Sequence, residues 1–112
     1  MIDWTRVQEL RSEIGEAGFA EVVELFLEEV ETVLARLDPG SGPKRLGEDL
    51  HFLKGCAWNL GFVEFGASCQ TGEREALANR CSAERVQDLA ACYRKSRDAF
   101  LGRISSEGSS AA

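Results

Sequence analysis

The sequence predicts an all-α protein: an antiparallel up-down-up-down four-helix bundle with a short additional amino-terminal helix. Three observations lead there. Apolar residues recur at three- and four-residue steps through most of the chain, which is the period of an amphipathic helix. No segment alternates polar and apolar residues as a half-buried strand does. The interruptions between periodic stretches are short, and long helices joined by short connectors pack most simply as antiparallel neighbours.

Taken in order, Asp3 is placed to cap a short first helix with Trp4, Val7, Leu10 and Ile14 along one side. Gly15 and Gly18 bracket its end. From about Ala17 to Leu37, residues Phe19, Val22, Val23, Phe26, Leu27, Val30, Val33, Leu34 and Leu37 mark the apolar side of a long second helix. Glu21, Glu24, Glu28, Glu29 and Glu31 fill most of the gaps, most simply as a solvated face. The run Asp38-Pro39-Gly40-Ser41-Gly42-Pro43 breaks the pattern. A third helix then runs from about Lys44 to Leu60, with Gly61 placed as its terminating glycine. The fourth spans about Val63 to Leu77, turns Phe65, Cys69 and Ala76 inward, and has Gly72 as a weak point. Asn79-Arg80-Cys81-Ser82 reads as a turn, with Ser82 as the next N-cap. The fifth helix carries Val86, Leu89, Ala90, Tyr93, Phe100, Leu101 and Ile104. The remainder, 105–112, is small and polar, and is expected to be a disordered tail on a domain spanning 1–104.

A chain of 112 residues supports one modest core. Its net charge of −6 argues against nucleic acid, whose phosphates demand a basic surface, and against an anionic membrane surface. No run approaches the length of a membrane span, so the expectation is a soluble, cytoplasmic protein. Cys56, Cys69, Cys81 and Cys92 are 13, 12 and 11 residues apart. Without a close ligand pair they do not read as a zinc site, and reduced core thiols are the simpler account.

The chemistry concentrates in one stretch, His51-Phe52-Leu53-Lys54-Gly55-Cys56-Ala57-Trp58-Asn59-Leu60-Gly61, which holds the only histidine. His51, Lys54, Gly55 and Trp58 share one helical face. Leu46, Leu50, Leu53, Ala57 and Leu60 form an apolar stripe roughly 120° away. The histidine therefore points toward solvent or a partner. Gly55 lowers helix stability by about 1 kcal/mol relative to alanine, and on the histidine's stripe it suits close approach by another molecule. Lys54, one turn from the imidazole, is placed to offset the charge of an anion on the ring. Such a pair is worth about 1 kcal/mol in water and about 4 kcal/mol near a protein surface at a separation of about 4 Å. A nucleophile elbow, a Gly-rich phosphate loop and an H-E-x-x-H motif are all absent. Cys56 lies on a different face from His51, which disfavours a Cys–His pair. With no nucleotide site, the chain needs a phosphoryl donor and is not expected to be an enzyme in its own right.

His51-x-Leu53-Lys54-Gly55 followed by Asn59-Leu60-Gly61 resembles the signature of the histidine-containing phosphotransfer (HPt) domain family. The likeness extends to Gly18 through Leu37 and to the spacing of Phe65, Cys69 and Glu73. The resemblance implies that His51 is phosphorylated, that Lys54 stabilises the phosphoryl charge, and that Gly55 clears space for a response-regulator receiver domain. It also implies that the phosphoryl group comes from a histidine kinase, a hybrid kinase or a receiver aspartate. The partner's receiver would supply the Mg²⁺, and this chain would need neither metal nor cofactor. Three positions depart from the family pattern: Cys56 replaces a common serine, Trp58 a small residue, and Gly72 a larger apolar one, which is expected to loosen packing. Trp58 is read as shielding the ring, anchoring a partner or turning inward, with partner contact preferred. The alternative function is a helical adaptor or inhibitor that docks on a receiver or kinase with His51 inert.

Overall fold

Asp3 caps the first helix: its carboxylate accepts from the backbone N–H of Thr5 and Arg6 at 3.1 and 3.2 Å. In this computed structural model the backbone is described for residues 1–111 and the side chains for residues 1–106. Helix α1 spans Trp4–Arg36 and is interrupted inside by Gly15, at φ 77° and ψ 168°. A residue with a Cβ avoids that conformation, whereas glycine adopts it readily. The two helices expected from the sequence therefore meet at Gly15, where the chain kinks between them.

The arm before the kink packs where the next two helices meet. The Asp3 N–H donates to the Gly61 carbonyl at 2.7 Å and the Glu64 N–H to the Met1 carbonyl at 3.2 Å. The Arg6 guanidinium donates to the Asn59 carbonyl at 3.0 Å. Trp4 stacks on Phe100 with ring centroids 5.7 Å apart. The additional amino-terminal helix thus lies across one end of the bundle.

After a 3-10 turn at Pro39–Ser41, helix α2 spans Pro43–Leu60. Pro43 stands in the first turn, where no N–H is needed. Gly61 ends the helix in the left-handed region at φ 82°, and its N–H returns to the Trp58 carbonyl. Helix α3 spans Val63–Leu77. Ser82 caps helix α4, Ala83–Ala111, by accepting from the Arg85 N–H at 3.2 Å. Helix α2 packs beside α1 on one flank and α3 on the other, and α3 packs on α4. The Tyr93 hydroxyl links α4 back to α1 by donating to Glu31 at 2.8 Å. The protein is all-helical, a helical bundle as the sequence predicts.

The apolar stripe of α2 forms the middle of the core, with Leu46, Leu50, Leu53, Ala57 and Leu60 all buried. Full burial of such a leucine stabilises the fold by about 1.5–3 kcal/mol. Phe62 sits among Phe26 and Phe100, both at 5.2 Å between centroids, and Tyr93 at 6.5 Å. Phe65, Cys69 and Ala76 point inward as expected, and the four cysteines are free thiols, with Cys69 buried.

Four expectations need correction. Ile14, Val22 and Leu101 lie on the predicted apolar sides yet remain exposed, because each falls at the margin of its stripe. Gly72 does not loosen the packing. Leu50 and Leu89 close over it, so that a Cβ there would already touch them at 3.4 and 3.5 Å. Helix α4 is described through position 111. A helix already anchored by Phe100 propagates residue by residue, and no proline stops it; Ala112 lies outside the described residues. Among the described residues, no helix is long and apolar enough to cross a membrane.

Candidate functional site

Burial of the leucine stripe turns the opposite face of α2 outward, and His51 stands there with 70 % of its side chain exposed. Its ring is nonetheless held. Nδ1 lies 3.0 Å from one carboxylate oxygen of Glu73, on α3. The other oxygen of the same carboxylate lies 2.7 Å from Lys54 Nζ. Glu73 therefore bridges His51 and Lys54 and ties both to the neighbouring helix.

Burial between the helices works to raise the Glu73 pKa. The hydrogen bonds from Lys54 and His51, together with the Lys54 charge, outweigh it and hold the carboxyl below its ordinary value. An ionised carboxylate only accepts, so the proton in the His51–Glu73 bond belongs on Nδ1. The lone pair of that tautomer is on Nε2, which has no hydrogen-bond partner among the described residues. The Glu73 contact thus fixes the orientation of an exposed ring.

Gly55 is exposed beside this group, and a Cβ built there would have nothing within 4 Å. The fold itself does not require glycine at this position. Trp58 lies farther along the same face against α3, where a Cβ at Gly66 would meet its ring at 3.0 Å. Among the described residues it makes no hydrogen bond or ring contact with His51, and it remains 41 % exposed outside the core. Cys56 is half-buried. Burial, then the negative charge of Glu29, push its thiol pKa up and keep it protonated. The structure thus gathers His51 and Lys54 on one carboxylate, leaves bare backbone at Gly55 next to them, and gives Trp58 a separate support.

Glu73 is the residue whose role sequence reasoning missed. It lies 22 residues from His51, and only the register of α2 against α3 brings the two together. The available signal was its position one turn after the inward Cys69, at the edge of the face that packs against α2.

A family model described as the Hpt domain matches residues 21–99, more than two thirds of the chain. The chain belongs to the Hpt domain family, the histidine phosphotransfer family of two-component signalling. No match was found among curated proteins or among solved structures.

Proposed function

We propose that this protein is a phosphorelay carrier that holds a phosphoryl group on His51 Nε2, between a kinase or receiver aspartate and a response-regulator receiver domain. In the loading step the Nε2 lone pair attacks the phosphorus of an aspartyl phosphate. The P–N bond forms, the P–O bond to the aspartate breaks, and the aspartate leaves as a carboxylate. The Nδ1 proton stays in place, so the ring gains positive charge that the Glu73 carboxylate stabilises. Lys54 offsets the phosphoryl oxygens, Gly55 lets the partner's backbone come close, and Trp58 offers an aromatic contact at the margin. The receiver supplies the Mg²⁺. Transfer of this kind asks mainly for positioning and charge neutralisation, which a helical surface provides without an ATP site. The reading places the relay in the cytoplasm, with a histidine kinase or hybrid kinase upstream.

The observation that carries this reading is the Glu73 bridge, which orients the ring and leaves one nitrogen open. It is tested by incubating the protein with phosphorylated receiver domains. The label should move to the bundle, be labile in acid and stable in alkali, and vanish in His51→Gln while helicity is retained. Labelling that survives in His51→Gln would refute the assignment, and no labelling of the wild type by any receiver would favour an inert adaptor.

A further inference from the structure

Most lysines and arginines of this acidic chain are tied down within the fold, as Arg36 is by Asp49, Arg85 by Glu75 and Arg97 by Glu31. Lys44, Arg45, Arg74 and Arg80 are not. Each is exposed and, among the described residues, its side chain forms no ion pair or hydrogen bond. They gather at one end of the bundle, where α2 begins and α3 ends side by side. Leu77, in the last turn of α3, rests over Gly47 of α2, where a Cβ would meet its methyl at 3.8 Å. Its outer side is bare: at 72 % it is the most exposed large apolar side chain among the described residues. Lys44 stands one turn before Gly47, and Arg74 one turn before Leu77. Past Leu77, Asn79 passes through the left-handed region at φ 56°. The N–H groups of Asn79 and Arg80 then return to the carbonyls of Ala76 and Glu75 at 2.9 and 2.7 Å. This helix-terminating turn folds the chain back and keeps Arg80 within a turn of the same leucine.

No acid of the chain answers these cations. Glu75 is held by Arg85 at 2.7 Å, and Glu48, one turn after Lys44, is exposed and pairs with none of them. Helix α2 sharpens the imbalance. Its first turn holds no acidic residue, and Gly42 before it offers no side-chain cap. Lys44 and Arg45 therefore put positive charge at the helix end that favours negative charge. The fold thus leaves one apolar side chain uncovered and ringed by cations that its own carboxylates do not neutralise. Such a surface is complementary to an apolar residue set among carboxylates. An anionic membrane is the poorer match, because the net charge of −6 opposes it.

We infer that this end of the bundle docks an acidic protein segment, whose apolar side chain covers Leu77 and whose carboxylates pair with Lys44, Arg74 and Arg80. The contact uses neither His51 nor the groups that brace it, so it stands independently of the carrier reading.

The test uses the full chain and a fluorescein-labelled synthetic peptide, rich in glutamate with a central pair of leucines, followed by anisotropy from low to high NaCl. Binding should saturate, weaken steeply with salt and be the same in His51→Gln. Lys44→Glu/Arg80→Glu should raise the Kd by about tenfold or more and flatten the salt dependence. Leu77→Ser should raise the Kd about tenfold with the salt slope kept. The same two-charge change at Arg94 and Lys95, exposed on α4, should leave the Kd within about twofold. Circular dichroism checks that each variant is folded. Absence of saturable binding would overturn the proposal, as would a Kd that Leu77→Ser does not move. An equal loss in the α4 variant would overturn it by reducing the attraction to overall charge. Tighter binding to phosphatidylserine vesicles than to the peptide would overturn it in favour of a membrane.

Discussion

Glu73 divides its two oxygens between an imidazole and an ammonium, and this division gives a residue-level prediction. Glu73→Gln keeps the shape but removes the charge. Losing a charge-assisted hydrogen bond of about 1.5–3 kcal/mol from a ring that gains positive charge corresponds to a ten- to hundredfold slower loading step. Stability should change less, by about 1 kcal/mol, because His51 is exposed and the Lys54–Glu73 pair is only partly covered. Its pH dependence has a definite sign. The Glu73 carboxyl is held below its ordinary value, so its contribution is complete above the normal carboxylate range and disappears as pH falls through the depressed native value. The Tm difference between wild type and Glu73→Gln should therefore be largest near neutrality and close below about pH 4. A Tm gap that widens in acid, or a variant that loads at the wild-type rate, would show that the bridge does nothing for the histidine.

At the scale of a helix, α2 serves two masters: one side must bury and the opposite side must remain accessible. Five positions of its apolar stripe are buried, and the phase of that stripe alone turns His51 outward. For this reason the outward facing of the histidine was legible in the sequence. Gly55 was legible as well, since a glycine on the exposed stripe has no packing role to explain it. The open space around it leads to a prediction with opposed signs. Gly55→Leu should raise helix stability by up to about 1 kcal/mol while weakening receiver binding, read as a higher urea midpoint together with a higher Kd. Equal or tighter binding would remove the account of that glycine. The same reasoning at the level of one element failed for Glu73, because a helical wheel of α2 says nothing about which residue of α3 will stand opposite. It held at Gly15, where the glycine at the predicted boundary is the residue that breaks the helix.

On the scale of the whole molecule, the caps and the connectors were readable from local rules and the bundle followed from them, whereas Phe62, at the centre of the buried aromatic cluster, falls in a connector that local rules do not mark as core. How closely the helices approach was not readable either, since that depends on which side chains meet across the interfaces. Gly72 is the clearest case. Read along the chain it is a weak point in a helix, but in the fold it is where α3 lies against Leu50 of α2 and Leu89 of α4.

Glu73 is the very next residue after that contact, so the distance between carboxylate and imidazole is governed from the interior. Gly72→Ala adds only a methyl at ordinary contact distance and should be close to neutral. Gly72→Leu overfills the junction at a cost of about 1–3 kcal/mol, and should slow loading in protein that is still folded, with His51, Lys54 and Glu73 all unchanged. A folded Gly72→Leu that loads normally would disprove the link. If the link holds, drift in the hidden seam between α2 and α3 is enough to silence this chain, and a search for inactive variants confined to its outer surface would overlook them.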